Sequence, residues 1–436
     1  MNLPKQNLEV NIYNKHNFGE VHTPYTIIEK MFNLLPDAIF SNPSKKWLDP
    51  CAGRGFFSIF LLEKLMVGLA KHIPNKAERR DHILSNMIWV CELNQEHIPH
   101  LKTIFSNVLT GDFLQTERKT FPCVFDIIIG NPPFNFGGRK KVPTNINLSK
   151  KNDGKTIWSK FIKHSVTLLK ADGYLLFIVP SIWMKEDKER MYFYMTQYNL
   201  LKIHCLTNTQ MNTFFKGHAQ TPSCFFLLRK NSTEKKVLLY DQDYKTYVPF
   251  HLIDANIIPV SCAHILTKIL PYVEKYGSLK QVIKSNLPNP AIHLSATPDN
   301  HHPYINIKTC IIENKINPKL VFEWSDRPCP HYGKKKLVLA HGMYGFPFID
   351  QYGVYGISNR DKYIYLSDNI SDLRKLHSFL SSDIVFYLYN ATRYRMKYLE
   401  KYIFSLLPNI LAMDDVDIDH IRHIKLPCNK NKYTMI

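Results

Sequence analysis

The chain has 436 residues, 45% hydrophobic and 21% charged, with 56 Lys and Arg against 37 Asp and Glu for a formal net charge of +19. That length suits two domains, the balance excludes a largely disordered protein, and no apolar run approaches the length of a membrane span. The positive excess favours a polyanionic partner, nucleic acid first, although the abundance of Lys, Asn and Ile also follows from AT-rich coding.

Cysteines at 51, 91, 123, 205, 224, 262, 310, 329 and 428 form no Cys-x-x-Cys pair. They read as free thiols in a reducing compartment, with no disulfide frame and no metal cluster. The opening MNLPKQNLEVNIYNKHNFGEV lacks the apolar core of a signal peptide, so an intracellular, cytoplasmic location is expected.

In chain order, short apolar runs at 45–50, 87–92, 125–130, 173–180 and 202–207 are expected as buried strands. Amphipathic stretches at 56–72, 94–105, 156–170 and 185–198 are expected as the helices between them. This alternation argues for an α/β parallel sheet with helices on both faces, whose ligand site lies beyond the carboxyl ends of the strands. The texture changes after about residue 232: the remainder is rich in Tyr, His, Pro and Lys, with strand-like pieces at 335–341 and 363–367 and one helical stretch at 372–394. A boundary is expected between a domain over 1–235 and a second, mixed α+β domain over 236–436.

Four motifs sit at expected strand ends. In WLDPCAGRGFF (47–57), Gly53 and Gly55 allow a tight turn with close backbone approach before an apolar helix, a turn suited to a nucleotide-like ligand. Taken alone it is equally a plain strand-to-helix loop. In VCELN, Glu92 closes a strand where a carboxylate can accept both hydroxyls of a ribose, or simply open a solvated helix. In LTGDFLQ, Asp112 can accept from an adenine amino group while the ring lies against Phe113. In DIIIGNPPFNFGGRKK (126–141), a strand in the middle of the sheet stops on Asn131, Pro132, Pro133 and Phe134 and runs into a basic loop.

These residues, in this order, resemble the S-adenosylmethionine-dependent DNA adenine-N6 methyltransferases. FGEVHTPYTIIEKM (18–31) is similar to that family's additional cofactor segment, and the order of cofactor segment, catalytic motif and recognition domain is the gamma arrangement. The resemblance runs over about 18–230 and is diffuse beyond, with 211–230 read as the closing strand pair. It implies a doubly wound, mostly parallel, seven-stranded Rossmann-like sheet followed by a target-recognition domain. It also implies that Thr23 and Pro24 lie over the methionine end of the cofactor, and that Asp49, Pro50, Cys51, Gly53 and Gly55 shape the methionine pocket. Glu92 would hold the ribose, Asp112 and Phe113 the cofactor adenine, and Asn131, Pro132, Pro133 and Phe134 the target base. The implied partners are double-stranded DNA and a cognate restriction endonuclease.

The chemistry explains the residue types. An exocyclic adenine nitrogen is a poor nucleophile because its lone pair is delocalised. Donation of its two N–H groups to the Asn131 side-chain oxygen and the Pro132 carbonyl would draw it toward a tetrahedral geometry, and proline brings no competing N–H. The base must leave the duplex stack at a cost of a few kcal/mol. Phe134 can replace part of that stacking, at roughly 1–3 kcal/mol per base. Arg139, Lys140, Lys141, Lys150 and Lys151 can hold nearby phosphates, or belong to a merely charged loop. Rival readings are methyl transfer to a protein glutamine, to RNA adenine or to cytosine N4, a catalytically idle DNA-recognition subunit, and a nuclease built on Pro298-Asp299 with Glu313 and Lys315.

Overall fold

The computed structural model describes residues 21–136, 155–312, 318–340, 347–359, 362–395 and 399–427. The chain divides into two compact units, 1–239 and 240–436. The break falls four residues beyond the expected one, inside the strand at 236–241.

Among the described residues the first unit has, in order, α1 (Tyr25–Phe32), β1 (Trp47–Asp49), α2 (Phe56–Gly68), α3 (Lys76–Asn86), β2 (Ile88–Glu92), α4 (Ile98–Ile104), β3 (Asn107–Thr110) and β4 (Phe125–Gly130). There follow α5 (Trp158–Leu168), β5 (Leu169–Pro180), α6 (Met191–Thr196), β6 (Tyr198–Leu206), α7 (Asn208–Phe214), β7 (Ser223–Ser232) and β8 (Lys236–Asp241). The sheet order is β3-β2-β1-β4-β5-β7-β6, continued by β8 and by β9 (Thr246–His251), so the sheet has nine strands where seven were expected. β1 to β5 are mutually parallel where they pair, and β7 lies antiparallel between β5 and β6.

Every residue of β1 and β2 is buried, which is why these strands read as unbroken apolar runs. At the amino end of β4, Asp126 ties neighbouring elements together. It accepts from Lys45 Nζ at 3.0 Å, Lys46 N at 3.0 Å and Lys170 Nζ at 2.8 Å. Its hydrogen bonds to Lys170, Lys46 and Lys45 outweigh burial and hold its carboxyl below the usual aspartate range.

Several elements differ from expectation. The helix expected over 185–198 is only α6, because Arg190 takes a left-handed φ of 55° and Asp187 caps Met191 N at 3.1 Å. The closing strand pair expected over 211–230 holds one strand, not two: Met211 to Phe214 belong to α7, and β7 pairs with β5 and β6. α3 has few apolar residues to betray it, and it is announced by Asn75, whose side chain accepts from Ala77 N and Glu78 N.

In the second unit, α8 (Ala263–Tyr276) precedes a strand-rich region. It comprises β10 (Ile283–Lys284), β11 (Leu294–Ser295), β12 (Tyr304–Ile312), β13 (Pro318–Ser325), β14 (Lys336–Ala340), β15 (Phe348–Asp350), β16 (Gly356–Ile357) and β17 (Lys362–Leu366). These strands make two four-stranded sheets, β10-β17-β14-β15 and β11-β13-β12-β16, around a cluster of Ile307, Val338, Ile357 and Ile364. α8 was missed in the sequence because it carries Pro271. The helix expected at 372–394 is two, α9 (Ile370–Leu380) and α10 (Asp383–Leu388), broken where Ser382 turns extended and bonds back to the Phe379 carbonyl. α11 (Asp415–Arg422) closes the described chain.

Lys336 and Asp350 face each other across β14 and β15 and are almost wholly buried, at 0% and 2% exposure. Lys336 Nζ donates to Asp350 Oδ2 at 2.5 Å and to the carbonyls of His331 and Lys334, both at 3.0 Å, so all three protons are used. Removing one member of such a pair strands a buried charge. Asp350→Ala is expected to destabilise the second unit by about 3–5 kcal/mol, read as a lowered urea midpoint.

Candidate active site

The ends of β1, β2, β3 and β4 lie side by side at the carboxyl edge of the sheet, as the register Asp49 to Val90 and Glu92 to Thr110 requires. β1 and β4 are the adjacent strands from which the chain proceeds in opposite directions, the usual place for a ligand in such a fold.

The glycine turn leaves β1 with Gly53 and Gly55 at φ of 55° and 83°, conformations that disfavour a side chain. Gly55 begins α2, and a Cβ there would lie 3.0 Å from the Leu101 side chain. Glu92 holds this turn from the next strand: Oε2 accepts from Gly53 N at 2.6 Å, and Oε1 from Asn94 N at 2.7 Å. Those two bonds orient the Glu92 carboxylate toward the turn. Leu93 beside it is 50% exposed. Sequence reasoning passed over this residue, although an apolar side chain directly after a strand-ending acid is a usable signal.

Asp49 is 2% exposed and accepts from Ser58 Oγ at 3.0 Å and Cys51 N at 3.3 Å. Burial pushes its pKa to about 7, against the pull of those two hydrogen bonds and with a further push from the Glu92 charge. Cys51 is also pushed well up by burial and by the Asp49 and Glu92 charges, so its thiol stays protonated. Pro50 is buried between them.

β4 ends on Gly130, and a Cβ placed there would lie 3.2 Å from Asp49 Oδ1 and 3.5 Å from Cys51 Sγ. Only glycine lets the next residue start so close to the turn. Asn131 follows, and its Nδ2 donates to Thr23 Oγ1 at 3.0 Å across 108 residues of sequence. Thr23 is carried there by the segment before α1, which Pro24 begins and which packs by His22 and Tyr25 against Phe56 in the first turn of α2, with centroids 5.5 and 6.1 Å apart. With its nitrogen committed, the amide presents its oxygen, and neither that oxygen nor the Pro132 carbonyl has a donor among the described residues.

Pro132 is buried, while Pro133 and Phe134 are half-buried. The chain then turns back: Ile157 N donates to the Phe134 carbonyl at 3.1 Å and Phe136 N to the Lys155 carbonyl at 2.8 Å. Phe136, 67% exposed, is a second aromatic at this edge that sequence reasoning did not single out.

Asp112 caps its own turn by accepting from Leu114 N at 2.9 Å. Phe113, expected against a ligand ring, is 3% exposed, stacked on Phe161 at 5.5 Å and met edge-on by His164 at 4.7 Å. Arg139, Lys140, Lys141, Lys150 and Lys151 lie outside the described residues, as do Glu313 and Lys315. Asp299 is held by His302 Nδ1 at 2.8 Å in the second unit. Cys51, Cys91, Cys123, Cys205, Cys224, Cys262 and Cys329 are unbridged.

A buried aspartate, a glycine turn held by a glutamate, and a strand-ending Asn-Pro-Pro-Phe with a free amide oxygen therefore stand together at one sheet edge. Residues 70–215 match the family model of the Eco57I restriction-modification methylases. That span holds Glu92, Asp112, Phe113 and Asn131 to Phe134, and it starts after the glycine turn. An adenine-specific methylase of Mycoplasma pneumoniae is 37% identical over 73 residues, 16% of this chain and 17% of that one. A type II restriction enzyme and methyltransferase of Methanocaldococcus jannaschii is 48% identical over 59 residues, 13% of this chain and 5% of that one. The matched stretches thus span a small part of both relatives. Among solved structures, the type IIL restriction-modification enzyme MmeI in complex with DNA aligns with 91% of this chain and 68% of its own, at 11% identity and a TM-score of 0.47. The likeness to adenine-specific methylases of restriction-modification systems, first read from four short motifs, extends beyond the motifs themselves.

Two outcomes test this geometry. Gly130→Ala would press a Cβ on the Asp49 carboxylate and is expected to cost about 1–3 kcal/mol in thermal unfolding. Asp49 has a folded pKa of about 7 against 3.8 for the free side chain, so the folded state holds the extra proton between those values. The stability from the neutral carboxyl is full below about pH 4 and is lost as pH rises to 7. Asp49→Asn is expected to flatten that part of the stability profile, measured by unfolding between pH 4 and 8.

Proposed function

We propose that this chain transfers a methyl group from S-adenosylmethionine to N6 of an adenine turned out of duplex DNA. The observation that carries the reading is the amide of Asn131, whose nitrogen is taken by Thr23 and whose oxygen has no donor among the described residues. That oxygen and the carbonyl of the next residue, Pro132, suit an amino group with two N–H donors. Together they would hold the adenine nitrogen with its lone pair turned away from the ring, and Pro133, without an N–H, cannot compete for either acceptor.

The residues at the ends of β1 and β2 fit the methyl donor. Glu92, at the end of β2, would take the ribose hydroxyls, exposed Leu93 would cover one face of the adenine moiety, and Asp112 would accept from its amino group. Thr23, Pro24, Asp49 and the turn from Pro50 to Gly55 would enclose the methionine end, where an ionised Asp49 would face its cationic groups. The cofactor supplies a methyl group already activated on sulfur. The chain's own contribution is alignment, and no strong base is needed, because the proton can leave once the nitrogen carries the methyl group. Phe134 would stack on the displaced base, and the basic residues at 139–141 and 150–151 would hold phosphates.

The excess of Lys and Arg supports DNA over a protein substrate, and the second unit supplies a body for target recognition. A cognate restriction endonuclease is the protein partner this reading calls for. The test is methyl transfer from labelled cofactor to duplex DNA, with the product mapped. N6-methyladenine is expected, with activity reduced roughly 100-fold or more in Asn131→Ala at unchanged cofactor affinity. Thr23→Val, which frees the Asn131 amide to rotate, is expected to lose about 10-fold in kcat. Label in protein or RNA, or full activity in Asn131→Ala, would refute the reading.

A further inference from the structure

The second unit carries a rigid double loop. The loop before β14 (326–335) and the loop after β15 (351–355) leave the same end of that antiparallel pair, because Lys336 and Asp350 are register partners. The buried ion pair ties both loops down. Lys336 Nζ reaches up to the carbonyls of His331 and Lys334, while Asp350 accepts from Val354 N at 3.1 Å and Tyr355 N at 3.0 Å. The loops are also joined directly, by Gly333 N to the Gly353 carbonyl at 2.8 Å. Gly353 has φ of 72°, and a Cβ there would lie 2.8 Å from Gly333 C and Lys334 N. Such closure leaves the loop tips little freedom, which is what a precise binding surface needs.

What the platform displays is selective. Tyr332 packs edge-on against Tyr304 at 5.2 Å, and Tyr355 lies between Phe322 and Phe348 at 5.1 and 5.8 Å. Tyr352 has no ring partner among the described residues and is 77% exposed on a loop that is otherwise pinned. Beside it, Lys334 is exposed and Lys335 half-buried, and neither makes an ion pair among the described residues. The nearby carboxylates are engaged: Asp350 by Lys336, Asp326 by Arg327 at 3.8 Å and Glu323 by Lys308 at 3.1 Å. The platform is therefore a basic surface with one aromatic standing out from a stiff backbone.

We propose that this double loop reads duplex DNA, with Tyr352 contacting base edges and Lys334 and Lys335 gripping phosphates. The inference rests on the methyltransferase reading only for the kind of nucleic acid. Phosphate contacts position a protein uniformly, whereas base contacts carry sequence information, so the two kinds of residue should fail differently.

The test uses the full chain and a pool of randomised duplex DNA. Wild type enriches a sequence motif from the pool. Tyr352→Ala is expected to relax that motif at one or more positions, with affinity for bulk duplex within about 2-fold of wild type. Lys334→Ala with Lys335→Ala is expected to keep the motif, weaken all sequences alike, and lower the slope of log affinity against log salt by about 2. Both changes are on the surface, and an unchanged unfolding midpoint checks that the fold is intact. An unchanged motif in Tyr352→Ala together with an unchanged slope in the lysine variant overturns the proposal, even if wild type makes N6-methyladenine. A motif that depends on Tyr352 in a protein that makes no N6-methyladenine upholds the platform and refutes the methyltransferase reading. Failure of wild type to bind duplex DNA overturns both.

Discussion

The closest constraint in the first unit is the approach of the end of β4 to the turn after β1. Gly130 stands where any Cβ would lie 3.2 Å from the Asp49 carboxylate. Because the strands are parallel and pair in register, their carboxyl ends meet at one edge, and the absence of a side chain at Gly130 lets the Asn-Pro-Pro-Phe segment begin against the turn. A ligand held by the turn and a base held by Asn131 would then be adjacent without any movement of the backbone.

Around that contact the polar groups act on one another. Glu92 spends one acceptor position on Gly53 and one on Asn94, which shapes the turn and aims the carboxylate together. Asp49 is kept near neutral by its burial, a state that an approaching cation would reverse. The Asn131 amide gives its nitrogen to Thr23, which turns its oxygen the other way. Each group is thus fixed by a neighbour from a different element, so alignment resides in the packing and not in any single motif.

The second unit applies a similar principle with a buried charge. Lys336 and Asp350 cost desolvation, yet their four additional hydrogen bonds to the two loops convert that cost into a defined loop geometry. An apolar pair could fill the same volume but would leave those backbone groups without partners.

How much of this could be read beforehand follows from the range of each interaction. The alternation of buried runs and helices, the turn glycines and the identity of Asn131 to Phe134 depend on residues adjacent in the chain, and the sequence alone determined them, along with the likeness to adenine methylases. The split of the late helix at Ser382 and the shortness of α6 were also local, but they turned on backbone conformations at Ser382 and Arg190 that several residue types can adopt. The pairing of Thr23 with Asn131, the enclosure of Phe113 by Phe161 and His164, and the joining of the loops over Lys336 and Asp350 needed the tertiary structure. Each brings together residues far apart in the chain, or settles which side of a ring is covered, and only packing decides that.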